Sequence, residues 1–161
     1  MNKLKIVVYA IAKNESKFVN RWVSSMREAD EIIVLDTGST DDTVELLKKQ
    51  NVKVYESKIE PWRFDTARNK SLSYVPNDTD ICVCTDLDEV LESGWRKILE
   101  ENWESGVTTR VRYNYNWKLD EENNPLVSFW INKIHTRDNY TWTHPVHEVL
   151  KCSKEEREKY V

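Results

Sequence analysis

Glycine and proline are scarce, with 3 and 4 in 161 residues, which excludes collagen-like and low-complexity chains. Three cysteines, an odd number, make no disulfide framework and read as buried thiols in a reducing compartment. Cys82 and Cys84 lie two apart in an apolar run, on one strand face and too close in sequence to pair. No apolar run is long enough to span a bilayer. The stretch 6–12 carries no cleavage-site pattern and reads as a first buried strand. An excess of positive charge is also missing: 24 Lys and Arg stand against 28 Asp and Glu, net −4. A duplex-binding protein would show a basic footprint, so no nucleic-acid partner is expected. What is plentiful is tryptophan, 7 residues, for an aromatic core or rings along a binding surface.

The first hundred residues alternate between two periods. A continuous apolar run at 5–11 suits a strand buried on both faces, and 31–35, 52–55 and 80–85 read as three further strands. An amphipathic helix fits 17–26; 40–50 and 64–75 read as helices, and 93–102 as a helix with Trp95, Ile98 and Leu99 as its apolar stripe. Ser39 or Thr40 is the expected cap of the second helix, and Asp65 of the third. This order implies right-handed crossovers and a mainly parallel sheet. Beyond residue 103 the pattern changes. Segment 108–118 alternates, with Val111, Tyr113, Tyr115 and Trp117 on one face, and 126–134 answers it across a polar turn as a long hairpin. Segment 140–150 supplies one or two short strands, and 153–161 is a charged, helix-prone tail.

Three polar clusters fall at expected strand ends: Ala12-Lys13-Asn14-Glu15, then Asp36 through Thr43, then Asp86-Leu87-Asp88-Glu89. In a parallel sheet all three share one edge, where ligands bind. Asp36 suits a ribose hydroxyl or a base N–H, or else a turn closed by Gly38. Clustered carboxylates repel, and a divalent cation between them is the simplest remedy; a solvated turn capping the next helix is the plain alternative. Trp62 reads as a ligand-side ring or as an anchor for its loop. The later aromatics, Tyr113, Tyr115, Trp117, Trp130 and Trp142, could stack sugar rings, but such a face more often packs.

Taken in order, Ala12-Lys13-Asn14-Glu15, Asp36-x-Gly-Ser-x-Asp-x-Thr43, Ala67-Arg68-Asn69 and Asp86-x-Asp88 resemble the successive signatures of family 2 glycosyltransferases. The resemblance is close over residues 3–103 and looser at His147-Glu148. It implies an α/β fold: three-layer α/β/α with a mainly parallel, Rossmann-like sheet of the glycosyltransferase A type and a C-terminal antiparallel hairpin. It implies that Ala12, Asn14, Glu15 and Asp36 hold the nucleoside, typically uridine. Arg68 would lie near the sugar or diphosphate, supported by Asn69. Asp86, Leu87 and Asp88 would form the D-x-D element, with Asp86 and Asp88 both metal residues for Mn²⁺ or Mg²⁺, Asp88 the more direct ligand and Asp86 nearer the ribose and sugar. It implies a UDP-sugar donor, a glycan or peptide acceptor, and inversion by direct displacement with a general base.

The base belongs on the acceptor side. Glu148, Asp138, Asp120 and Glu89 are candidates, and Glu148 is preferred, with His147 an auxiliary metal or phosphate ligand. His144 could exchange roles with His147, and packing of the pair against Trp142 is the bland reading. The family's Glu-Asp pair and Gln-x-x-Arg-Trp element are not found. The expected organisation is one domain, 1–152, with a donor half at 1–103 and an acceptor-side β region at 104–152. The tail 153–161 is expected to lie outside it, as in a compact form or a piece of a longer protein. The expected location is cytoplasmic or at the membrane periphery. Two rivals remain: a non-catalytic nucleotide-sugar-binding module, and a haloacid dehalogenase-like phosphatase with Asp86 as nucleophile and Asp88 as acid/base.

Overall fold

The structure is a computed structural model that describes residues 3–161. Four parallel strands, β1 (Ile6–Ala12), β2 (Glu31–Asp36), β3 (Lys53–Glu56) and β4 (Ile81–Cys84), alternate with α1 (Ser16–Met26), α2 (Thr43–Lys49) and α3 (Phe64–Ser73). After α4 (Trp95–Asn102) come β5 (Arg110–Leu119), β6 (Pro125–His135), β7 (Tyr140–Thr143), β8 (Val149–Cys152) and β9 (Glu158–Tyr160). The seven-stranded sheet runs β3-β2-β1-β4-β6-β5-β9, and β7-β8 form a separate pair. The expected hairpin β5–β6 is therefore part of the main sheet, with β6 paired antiparallel to β4.

The apolar runs bury as their pattern requires. Ile6 through Ala10 are fully buried on both faces of β1. One face packs on Val19, Trp22, Val23 and Met26 of α1, the i, i+3, i+4, i+7 stripe of an amphipathic helix. The other packs Val7, Tyr9, Cys82 and Cys84 against α3 and the β7–β8 pair. All three cysteines are free, with Cys82 and Cys84 buried.

Three expectations are corrected. Helix α2 begins at Thr43 rather than residue 40, because Ser39 and Thr40 are drawn into the preceding loop by Asp36 and Asn14. Asp65 lies inside the first turn of α3 rather than capping it, and its carboxylate takes Arg63 at 3.0 and 2.7 Å. The helix-prone tail forms β9. Arg112 pairs with Glu158 at 2.6 Å and Arg110 with Glu156 at 3.1 Å, so edge pairing and charge override local propensity.

Candidate active site

The carboxyl ends of β1, β2 and β4 open into a cavity of about 880 Å³, within the usual range for small-molecule sites. Ala12 and Glu15 line it from the end of β1, and Arg68 from α3. Asp86, Leu87 and Asp88 reach it from the loop after β4, and Glu148 from the turn before β8. Residues 80 apart in sequence are joined here: Arg68 Nε donates to Glu148 Oε1 at 3.1 Å while its Nη2 donates to Asp86 Oδ1 at 2.5 Å. Burial works against the Arg68 charge, but the Cys84, Asp86 and Glu148 side chains outweigh it and hold its pKa above the ordinary value.

Asp86 has a second cation. Lys133 Nζ donates to Asp86 Oδ2 at 3.3 Å and to Glu89 Oε1 at 3.0 Å. Burial opposes ionisation of Asp86, yet Arg68 and then Lys133 bring its pKa below the usual carboxylate value. Glu89 moves the other way, raised by burial against the pull of Lys133. Much of the carboxylate repulsion expected to need a metal is thus relieved by the protein's own cations. Asp86, read in the sequence as a metal ligand, has both oxygens engaged by Arg68 and Lys133.

Asp88 differs. It is exposed at the cavity, and only its main-chain carbonyl is engaged, accepting from Arg21 at 2.8 Å. Its carboxylate makes no hydrogen bond among the described residues. An exposed, uncommitted carboxylate beside a cavity fits a hard cation that keeps other oxygen ligands from water or phosphate. Glu15 nearby has a raised pKa, first from burial and then from Asp88 and Asp86, so negative charge is concentrated on this wall. Lys13 and Lys58 supply cations to the same cavity. Among the described residues no group of three His, Cys, Asp or Glu converges as a complete ligand set.

Other expected residues stand elsewhere. Asp36 is buried, and its carboxylate is spent on its own loop, accepting from Gly38 N and Ser39 N at 2.9 Å and from Ser39 Oγ. It closes the turn that brings Thr37 and Gly38 to the cavity. Asn14, with φ 55°, accepts from Thr40 N at 2.7 Å and ties the same loop to the end of β1. Neither side chain lines the cavity. Asn69 faces away, clipping β7: its Oδ1 accepts from Trp142 N and its Nδ2 donates to Trp142 O, both at 2.8 Å. His144 and His147 are exposed on the β7–β8 turn with φ 79° and 54°, and neither reaches the cavity. The auxiliary ligand role for His147 finds no geometry here. Trp62 lines the cavity, set edge-on to Phe64 at 5.1 Å.

Behind Arg68 runs a buried chain. Trp142 Nε1 donates to Tyr9 Oη at 2.9 Å, and Tyr9 Oη lies 2.8 Å from His135 Nε2. His135 Nδ1 is 2.7 Å from the Thr136 carbonyl. A proton on Nδ1 satisfies every member, so the ring is neutral, and burial pushes its pKa down to about 3. The indole of Trp142 lies under the Arg68 guanidinium, 5.6 Å to the ring centroid.

The sequence pattern of the family described as "Glycosyl transferase family 2" matches residues 7–154. The SPbeta prophage-derived glycosyltransferase SunS of Bacillus subtilis (strain 168) is 42% identical over 76 residues, 45% of this chain and 17% of that protein. The mannosyltransferase PcManGT from Pyrobaculum calidifontis, solved in complex with GDP-Man and Mn²⁺, superposes with a TM-score of 0.57 at 18% identity, covering 69% of this chain and 35% of that one. Glucosyl-3-phosphoglycerate synthase from Mycobacterium tuberculosis, in complex with Mn²⁺, UDP and its glucosyl product, gives 0.57 at 18% identity, covering 84% and 57%. These likenesses establish the glycosyltransferase A-type fold. The chain spans less than two thirds of each of these proteins.

Proposed function

The chain belongs to glycosyltransferase family 2, and from that premise we propose that it moves a sugar from a nucleoside diphosphate donor, UDP-linked, to a hydroxyl of a glycan or peptide acceptor. Membership leaves the phosphatase alternative without support. The observation that carries the reading is the convergence of Asp86, Asp88, Arg68 and Glu148 from three separate segments on one cavity.

Asp88 would hold the divalent cation, Mn²⁺ or Mg²⁺, since its carboxylate is the uncommitted one. When bound, such a cation neutralises charge on a departing diphosphate. Lys13 and Lys58, which also line the cavity, would attract the diphosphate. Arg68 fixes Glu148 relative to Asp86, and Glu148 would receive the acceptor's proton. The acceptor oxygen bonds to the anomeric carbon as that carbon's bond to the diphosphate breaks. The electron pair leaves with the diphosphate, and one displacement inverts the centre. Neighbours solved with GDP-Man and Mn²⁺, or with UDP and Mn²⁺, support a nucleotide and a cation at this edge. Among the described residues no helix is long and apolar enough to cross a membrane; we place the reaction in the cytoplasm or at the membrane periphery.

Turnover tests this reading. UDP-sugar incubated with the protein and Mn²⁺ should be slowly hydrolysed, water standing in for the acceptor. Glu148→Gln should slow that by about a hundredfold or more, with UDP affinity retained. Donor binding with no turnover under any metal condition would instead make this chain a non-catalytic nucleotide-sugar-binding module.

A further inference from the structure

A second cavity, of about 460 Å³, lies on one face of the β5–β6 hairpin, with Tyr115, Trp117, Phe129 and Ile131 as walls and Glu89 and Lys133 at one end. Two of the hairpin's three irregularities shape it. Val111 pairs with Ile134 but Tyr113 with Ile131, so β6 carries one extra residue there. Asn116 pairs with Ser128 and Lys118 with Val127, so Trp117 is itself an extra residue on β5. Bulges of this kind bend a strand and re-aim side chains. Here one accompanies Lys133, which points to the acidic cluster, and the other Trp117, which stands 69% exposed beside a half-exposed Phe129. Tyr115 and Phe129 form a cross-strand pair at 5.3 Å.

From this geometry we infer that the groove is the acceptor subsite and that its occupant is a saccharide, one ring lying on Trp117 and Phe129 with its hydroxyls at Glu89 and Lys133. The inference rests on the donor-site reading above. Continuity carries it: Lys133 bonds both Glu89 in the groove and Asp86 in the donor cavity, so a ligand at the inner end of the groove sits one side chain from the proposed reaction centre. Chemistry selects the occupant. The walls are aromatic and the inner end is an acceptor beside a donor, which a hydroxyl can satisfy in both directions without bringing charge. The buried Tyr113 hydroxyl, on the same strand face, has no hydrogen-bond partner among the described residues. A pyranose offers a C–H face to the rings and a hydroxyl rim to the ions. A lipid tail would cover the Glu89–Lys133 pair with hydrocarbon, at a desolvation cost.

Saturation-transfer NMR with cellotriose and chitotriose tests the groove, alongside titration of UDP with Mn²⁺ on the same samples. The expected result is saturation of ring protons in at least one trisaccharide, with affinity falling about tenfold in Trp117→Ala and in Phe129→Ala. Both residues are exposed, so the variants should fold, and UDP binding should stay at the wild-type level. Saturation of neither trisaccharide, or saturation indifferent to both substitutions, would overturn the assignment. So would a serine-rich peptide that competes for the groove where the sugars fail. If UDP does not bind while a trisaccharide does so through Trp117, the donor reading fails and the groove stands on its own.

Discussion

Arg68 touches two carboxylates at once, so its loss strands Glu148 and leaves Asp86 with Lys133 alone. Arg68→Ala should destabilise the fold by about 2 kcal/mol, less than for a fully buried pair, because the Asp86 side chain is 36% exposed. Arg68→Lys keeps the charge but not the fork that reaches Asp86 and Glu148 together; urea unfolding should find it between wild type and alanine. His135 sets a pH dependence. Its folded pKa, about 3, lies below the unfolded value near 6.5. The neutral ring therefore stabilises the fold fully above about pH 6.5, and that stability is lost as pH falls and the unfolded chain takes the proton first. Between pH 6.5 and 5 the loss from this group should be about 2 kcal/mol, read from urea midpoints, and His135→Gln should flatten the slope. At this scale the sequence was legible where residue type alone speaks: Asp88 and Arg68 stand out within their motifs. Lys133 was not legible, because a bulge in β6 decides where it points. Asn14 and Asp36 stand in two separate polar clusters of the sequence, but whether such a side chain meets a ligand or its own loop depends on backbone geometry that spacing does not encode.

Elements are held together by a few side-chain clips. Asn69 satisfies both backbone groups of Trp142 and so fixes β7, and with it the turn that carries Glu148, onto α3. Asn69→Ala leaves that N–H and C=O unpaired, which should cost about 1–3 kcal/mol. Hydrogen exchange should speed up at the Trp142 amide first. The strand–helix order was readable because β1, β2 and β4 hold continuous apolar runs and α1 carries a clean 3.6-residue stripe, while β3, with Lys53 and Glu56 at its ends, was placed by its position in the alternation. Helix starts were less readable. Ser39 and Thr40 are good caps by type, yet Asp36 and Asn14 recruit them to the loop, and Asp41 then accepts from Ser16 N at 3.2 Å to tie this loop to the start of α1.

Over the whole molecule, the sheet's carboxyl edge gathers the donor-side chemistry and the hairpin carries the aromatic groove. That edge was foreseeable from the parallel order alone, since three polar clusters had to share it. The far edge was not, because β9 forms through Arg110 and Arg112 pairing with glutamates some 46 residues on, a long-range match that helix propensity hides. The central claim is that Asp88 and a divalent cation build a uridine diphosphate site in this cavity. Calorimetric titration of UDP, with and without Mn²⁺, into wild type and Asp88→Ala, with GDP as control, tests it most directly. Binding of UDP that needs Mn²⁺, exceeds that of GDP and disappears in Asp88→Ala is the expected result. UDP binding that is indifferent to Mn²⁺ and to Asp88, or no nucleotide binding by the folded protein, would contradict it.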